Sequence, residues 1–174
     1  GVAAPAQTIG ALLQPAEAER RAAGATELTF VGTASWLVTC LEKNGFARRT
    51  TVITYRRWGR GLSESGNRHV LVRPALPDEA GIIADLDRVA FEPMWRYTAE
   101  THRTLICRLP HYVIAEAAGQ PVGYAASDIV WGHGHIVRLA VRPDWQRRGV
   151  GTRLMAEALA FFERRDIVLV MLNT

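Results

Sequence analysis

The residues best suited to chemistry in this sequence form the hexapeptide Gln146-Arg147-Arg148-Gly149-Val150-Gly151. Residues 135 to 141 before it are mostly apolar and predict a β-strand, whereas residues 152 to 165 after it have apolar side chains at helical spacing. The unpaired N–H groups at the start of a helix attract anions, and glycine lets the backbone approach them closely. Arginine adds forked donors that suit phosphate. We therefore predict a phosphate-binding loop.

This loop differs from two common nucleotide-binding motifs. No Gly-Lys-Ser/Thr follows its glycines, and the G-x-G-x-x-G pattern is missing. A Q/R-x-x-G-x-G/A loop between an apolar strand and a helix instead resembles the acetyl-CoA motif of the GNAT (GCN5-related N-acetyltransferase) superfamily. An ordinary strand-turn-helix with a basic surface loop is the alternative. The resemblance implies acetyl-CoA as co-substrate, with phosphate contacts from Arg142 and Arg153 as well. The cofactor-binding residues that it implies are Leu139, Ala140, Val141, Gln146, Arg147, Arg148, Gly149, Val150, Gly151, Thr152 and Asn173.

Composition sets broad limits on the class of protein. The 174 residues suit one ordinary domain, and 48% are hydrophobic, which is enough for a core. The net charge of +4 comes without a Lys/Arg block, so we expect no nucleic-acid partner. No apolar run reaches membrane length, and we expect no membrane partner. The two cysteines, Cys40 and Cys107, give neither a disulfide framework nor metal spacing, which favours a cytoplasmic location.

The order of elements indicates three parts along the chain. Residues 1–58 predict two helices (7–23 and 34–44), a short strand (Glu27–Val31) and a β-rich stretch (46–58). Residues 59–68 predict a glycine- and serine-rich linker. Residues 69–174 predict, besides the strand, loop and helix above, a strand at 69–73, helices at 77–91 and 97–109, a hairpin at 112–116 and 122–126, and a final strand at 167–172.

The third part, residues 69–174, resembles the first two-thirds of a GNAT domain. This resemblance implies an α/β fold with a mixed, mainly antiparallel sheet flanked by helices. Residues 1–58 resemble the degenerate C-terminal half of a second such domain, because Glu42-Lys43-Asn44-Gly45-Phe46 matches an E-K-x-G-F motif of the family. The helix and strand near the start also align with those near the end at an offset of 141 residues. A chance alignment of two amphipathic segments is the alternative.

The final strand, Ile167–Leu172, would expose an open apolar edge that folded proteins cover. Residues 34–58 could cover it within the chain, or from a second chain in a homodimer that exchanges a segment. A tandem protein trimmed at both ends, with two lobes of one larger sheet, is a third interpretation. We expect residues 34–58 to complete the sheet.

The resemblance implies transfer of an acetyl group to an amine of a small molecule or a protein. Amides near Leu139 and Val141 could polarise the thioester carbonyl, and Trp95 and Tyr97 could line an acceptor pocket or pack in the core. The family's pantetheine-binding Asn and thiolate-protonating Tyr fall on Ala34 and Leu41 in the N-terminal segment. The alternative is therefore a degenerate module that binds CoA or a partner without turnover. Candidate general bases, each of which could equally be a solvated surface group, are Glu92, Glu116, Asp128 and His135.

A metal site is not expected from this sequence. His133 and His135 are two residues apart on one predicted strand, but no third ligand accompanies them.

Overall fold

The computed structural model describes residues 5–32, 34–60 and 65–174. The chain divides into two compact units, residues 1–51 and residues 52–174. Residues 61–64 of the predicted linker lie outside the described residues, as does Thr33. None of the described helices combines the length and the hydrophobicity that a membrane span requires.

The first unit contains two helices, α1 (Pro5–Ala22) and α2 (Ser35–Lys43), which confirms both predicted helices. Asn44 joins them, because its side-chain amide donates to Ala6 O at 2.9 Å and to Cys40 O at 2.8 Å. Each helix is followed by a glycine with φ of 85°, Gly24 and Gly45, as expected for left-handed C-terminal caps.

The strand predicted at Glu27–Val31 is wrong, since residues 25–32 form neither helix nor strand. β-rich sequence becomes a strand only where another strand can pair with it, and residues 5–32 and 34–51 provide none. Only Thr54–Trp58 of the predicted 46–58 stretch is a strand. The strand half of the suggested internal repeat is therefore absent. Its helices also differ, because Gly10 lies inside α1, whereas Gly151 lies in the first turn of the later helix.

The second unit contains all the described strands and three α-helices: β1 (Thr54–Trp58), β2 (Leu71–Pro74), α3 (Ala80–Ala90), α4 (Ala99–Arg108), β3 (His111–Ala117), β4 (Gln120–Val130), β5 (His133–Val141), α5 (Val150–Glu163) and β6 (Leu169–Asn173). The six strands form one sheet in the order β1-β6-β5-β4-β3-β2. Every neighbouring pair is antiparallel except β5 and β6. The predicted mixed, mainly antiparallel sheet flanked by helices is confirmed.

Helices cover both faces of this sheet. Leu154 and Phe162 of α5 are fully buried in two clusters on one face, whereas Ile83 of α3 is fully buried on the other. Strand β3 shows the alternation that separates the faces, because Val113 packs toward α5 and Ile114 toward α3 and α4. Burying one side chain of this size contributes about 1.5–3 kcal/mol, so both helix layers are needed for stability.

Strand β1 covers the edge of β6 within the same chain. Thr54 pairs with Asn173 and Trp58 with Leu169, and Ile53 and Thr174 exchange backbone hydrogen bonds at 2.7 and 3.0 Å. The expectation that residues 34–58 complete the sheet is confirmed for residues 54–58, which lie in the second unit. Strand exchange with a second chain is not required at this edge.

His111, at the start of β3, makes the stability of the fold depend on pH. The residue is 8% exposed, and its ring stacks on Phe161 at 4.5 Å and contacts Ser127 Oγ through Nδ1 at 3.1 Å. Burial lowers the pKa of His111 to about 4. The unfolded chain, with an ordinary histidine pKa near 6.5, therefore binds more protons than the folded chain between those two values.

We predict that the free energy of unfolding falls as pH decreases from about 6.5 to about 4. One group lowers it by up to about 1.4 kcal/mol per pH unit. His102, whose pKa burial also lowers, contributes with the same sign. Urea unfolding at several pH values measures the slope. His111→Phe keeps the aromatic stack but cannot titrate, so its slope should be shallower; an equal slope in wild type and variant would contradict the assignment.

Candidate functional site

A β-bulge in β5 opens the sheet next to the predicted phosphate-binding loop. Ala126 pairs with Arg138 and Ser127 with Ile136, so Val137 is an extra residue without a partner on β4. The parallel pairing of β5 with β6 ends at the same place, at Ile136 and Leu172. In the described part of the chain, no residue of β5 beyond Ile136 pairs with β6. Asn173, which follows Leu172, still pairs with Thr54 of β1 but with no described residue of β5. A bulge bends its strand and increases the local twist, so it accounts for this gap between β5 and Asn173 of β6.

Backbone amides of β5 face this gap. The N–H of Arg142 donates to Val122 O on β4 at 2.9 Å, so this end of β5 has a known orientation. Backbone groups along a strand point alternately to the two sides. The N–H groups of Leu139 and Val141 therefore point away from β4, as required by their predicted role. The contact of Gln146 Nε2 with Val141 O at 3.1 Å is consistent with this orientation.

The loop between β5 and α5 has the geometry of an anion site. Gly149 lies at the N-cap of α5 with φ of 75° and ψ of 7°, and Arg147 also has a positive φ of 59°. Residue 149 therefore has a conformation that favours glycine, as the sequence predicted. The predicted start of α5 at residue 152 was two residues late, because the helix begins at Val150 directly after this cap.

Charged side chains of the loop differ in their partners. Arg142 is paired with Asp144, with its Nε 2.7 Å from Asp144 Oδ1. Arg148 stacks over Trp145 at 5.1 Å, and Arg153 lies 3.5 Å from Glu157. Arg148 is therefore better suited to a phosphate contact than Arg142, whose Nε and Nη2 both donate to the Asp144 carboxylate. Arg153 also has a carboxylate partner, but at the longer distance of 3.5 Å.

The end of the predicted linker packs against the loop. Asn67 Nδ2 donates to Arg148 O at 2.9 Å, and Asn67 N donates to Gly149 O at 3.1 Å. The last residues of the 59–68 stretch are therefore a fixed part of the second unit.

A buried ion pair joins α3 to β5 beside the gap. Arg138 Nε and Nη2 donate to Asp87 Oδ1 and Oδ2 at 2.7 and 2.8 Å. The Asp87 side chain is 0% exposed and that of Arg138 is 8% exposed. Tyr124 OH also donates to Asp87 Oδ1, and Tyr97 N donates to Oδ2 at 2.7 Å. Asp87 thus has bonding partners for both oxygens, which a buried carboxylate requires.

The same arginine holds the connection between α3 and α4. Its guanidinium lies between the rings of Phe91 and Tyr97, at 3.8 and 3.9 Å, and Nη2 donates to Trp95 O. Tyr97 was predicted either to line an acceptor pocket or to pack in the core. Its half-buried ring packs on Arg138, and Trp95 contributes a carbonyl to the same contact. The α3–α4 connection, residues 91–98, is therefore tied to β5.

Electrostatics keeps Asp87 and Arg138 charged, whereas burial favours the neutral forms of Tyr124 and His102 beside them. Burial by itself would raise the pKa of Asp87, but the hydrogen bonds from Arg138, Tyr124 and Tyr97 outweigh it, and the pKa is lowered. Burial and the hydrogen bond to Asp87 raise the pKa of Tyr124, which therefore remains a donor. Burial lowers the pKa of His102, whose Nδ1 lies 2.7 Å from Tyr112 OH.

The candidate bases fall in different places. Glu92 is exposed and lies in the α3–α4 connection. His135 lies on β5 two residues before the bulge, with Asp128 opposite it on β4. Glu116 lies on β3 and forms a close ion pair with Arg73, which also binds Glu79. The Glu116 carboxylate therefore has a structural role. The assignment of a base among these residues stays a prediction.

Asn173 is the last residue of β6, and its Oδ1 accepts a hydrogen bond from Thr54 Oγ1 at 2.9 Å. Its predicted contact with the cofactor would therefore be made by the side-chain NH₂ group or by the backbone. Within the described residues, no group of three His, Cys, Asp or Glu side chains could hold a metal ion.

Sequence reasoning missed Asp87, Arg138 and Asn67. A signal for the first two existed: Arg138 is a lone charge in the apolar strand Ile136-Val137-Arg138-Leu139-Ala140, and Asp87 lies on the apolar face of a helix. Charges at such positions need partners. Nothing in the sequence indicated which partners these were, or that Asn67 contacts the loop.

Comparison with known proteins identifies the family. The model of the acetyltransferase (GNAT) family matches residues 82–174, which is more than half of the chain. This chain belongs to the GNAT family.

Individual relatives are similar over part of their length. An uncharacterized N-acetyltransferase of Methanocaldococcus jannaschii is 41% identical over 44 residues, which are 25% of this chain and 28% of that protein. The match thus spans less than a third of that relative.

Solved structures share the fold at low identity. A GCN5-related N-acetyltransferase from Sphaerobacter thermophilus has a TM-score of 0.57 at 19% identity, covering 80% of this chain and 47% of that one. The PaiA N-acetyltransferase of Thermoplasma acidophilum, solved in complex with coenzyme A, has a TM-score of 0.52 at 15% identity, covering 56% and 74%.

We predict that Arg138→Met destabilises the protein by about 3–5 kcal/mol, because it leaves the buried Asp87 carboxylate without its ionic partner. Chemical denaturation measures the change. Arg88→Met is the matched control: Arg88 pairs with Asp85 on the same helix, but both side chains are more than 60% exposed. Loss of this exposed ion pair should lower the free energy of unfolding by less than about 1 kcal/mol. Equal costs for the two variants would show that the buried pair is not important for the fold.

Proposed function

We propose that this protein is an acetyl-CoA-dependent N-acetyltransferase that acts on an amine of a small molecule or a protein. The observation that carries the proposal is the gap that begins at the Val137 bulge and leads to the Gly149 loop. An extended pantetheine arm could pair with the open edge of β5, and the pyrophosphate would then lie at the start of α5. Membership of the GNAT family supports this orientation.

The chemistry follows from the groups around the gap. The amine nitrogen attacks the thioester carbonyl carbon, its proton passes to a base, and the C–S bond breaks to release the thiolate. The N–H groups of Leu139 and Val141 would stabilise the negative charge that develops on the carbonyl oxygen. Within the described residues, the candidate bases without an ion pair like that of Glu116 are Glu92, Asp128 and His135.

A second candidate function is a degenerate module that binds CoA without turnover. The observation in its favour is the presence of Ala34 and Leu41 at the positions where the family's Asn and Tyr would fall in the N-terminal segment. Release of free thiol from acetyl-CoA, measured over a panel of amines, distinguishes the two functions. We expect amine-dependent release. Tight CoA binding without release from any amine would support the module instead.

We also propose a cytoplasmic location and a second unit that does not exchange strands with another chain. Two unpaired cysteines, buried Cys40 and exposed Cys107, favour the reducing cytoplasm. Pairing of β1 with β6 inside one chain favours a second unit that needs no partner chain at that edge.

Cofactor binding should depend on charge at the start of α5. A Cβ at Gly151 would lie 3.7 Å from Val141 Cγ2, which is ordinary contact distance, so Gly151→Ala should bind CoA within about threefold of wild type. Gly151→Asp adds a carboxylate where the pyrophosphate is expected, and like-charge repulsion should weaken binding at least about tenfold. Isothermal titration calorimetry with CoA gives both values. Equal affinities of the Ala and Asp variants would reject this site.

A further inference from the structure

We infer that Asn67 is a positioning residue for the phosphate-binding loop, and that residues 65–70 form the back of the cofactor site. This inference rests on the proposed function, in which the loop binds the pyrophosphate of CoA. Asn67 lies outside residues 82–174, the part of the chain matched by the family model. The positioning role of Asn67 is inferred only from contacts within this chain.

Two hydrogen bonds connect Asn67 to successive carbonyls of the loop. The side-chain amide donates to Arg148 O at 2.9 Å, and the backbone N–H donates to Gly149 O at 3.1 Å. Asn67 is itself held by the turn that follows it. Its Oδ1 accepts from His69 N at 2.9 Å, and its carbonyl accepts from Val70 N at 3.3 Å. Val70 is 3% exposed and belongs to the core cluster under α5, so this turn is fixed to the body of the second unit.

Fixing these carbonyls also fixes the amides that an anion needs. The peptide group is planar and trans, so the C=O of one residue and the N–H of the next point in opposite directions. Because Arg148 O and Gly149 O point toward Asn67, the N–H groups of Gly149 and Val150 point away from it. Gly149 O also accepts from Arg153 N of α5 at 3.0 Å, so the Gly149 amide is the one that depends on the Asn67 side chain. These amides belong to the predicted phosphate-binding set. Without Asn67, the Arg148 carbonyl could turn toward the phosphate, where its negative end would repel the ligand.

The fit of the segment on the loop is close. Gly66 has φ of 70°, and a Cβ added there would lie 2.6 Å from Gly149 O and closer still to Arg153 N. Gly119, in the β3–β4 turn, has a similar φ of 73°, but a Cβ there would meet no atom within 4 Å. Alanine at either position strains the backbone similarly. Only alanine at position 66 would push the segment off the loop.

The experiment compares CoA affinity in full-length variants by calorimetry. Asn67→Ala should weaken CoA binding about tenfold, the effect expected for losing one well-placed hydrogen bond at the site. The loss should be the same with dephospho-CoA, which keeps the pyrophosphate. It should disappear with S-acetylpantetheine, which has none. Asn67→Ser keeps an oxygen that can form the turn but is too short to reach Arg148 O, and it should behave like Asn67→Ala.

The glycine pair separates positioning from general destabilisation. Gly66→Ala should lose CoA affinity, whereas Gly119→Ala should lower the melting temperature and bind CoA like wild type. If wild type binds CoA and the Asn67 and Gly66 variants bind equally well, this inference is wrong and the proposed function is untouched. If wild type itself fails to bind CoA, the proposed function fails, and the positioning role fails with it. Equal losses for CoA and S-acetylpantetheine would also overturn the inference, because they would indicate a general structural defect.

Discussion

The second unit depends on one buried ion pair, between Asp87 of α3 and Arg138 of β5. A carboxylate at 0% exposure is tolerated only when its charge is balanced and its oxygens are bonded. Arg138 supplies the charge, and Tyr124 and the Tyr97 amide supply the remaining bonds. Since these groups come from two strands, a helix and the α3–α4 connection, none can move without leaving a buried polar group unpaired. Breaking such a pair is costly because it leaves an uncompensated buried charge, even where the intact pair adds little net stability.

The ion pair and the bulge act on the same stretch of β5. Val137 is the extra residue that ends pairing with β6, and Arg138 is the next residue along. One residue therefore bends the strand away from its neighbour, and the following one anchors it to α3. A gap in a sheet would normally leave a flexible edge. Here β5 is held by its pairing with β4 and, on one face of the sheet, by the bond of Arg138 to α3, so the amides at its open edge keep one direction without a strand partner.

The sequence predicted what depends on near neighbours. A strand, a glycine loop and a helix within residues 135–165 identified the anion site, because loop and helix start are adjacent in the chain. It failed where distant partners decide. The strand predicted at Glu27–Val31 had suitable residues but no strand to pair with. Asp87 and Arg138 are 51 residues apart, and Asn67 and Arg148 are 81 apart, and no local pattern connects either pair.

The pairing of β1 with β6 has a consequence for synthesis on the ribosome. Thr54 and its partner Asn173 are separated by 119 residues. At the usual elongation rate of about 5–20 residues per second, β1 emerges roughly 6 to 24 s before the strand it pairs with. During that time Tyr55 and Trp58 belong to a nascent segment without a sheet. The sheet of the second unit therefore cannot be completed in chain order, because β1 can take its place only after β6 has been translated.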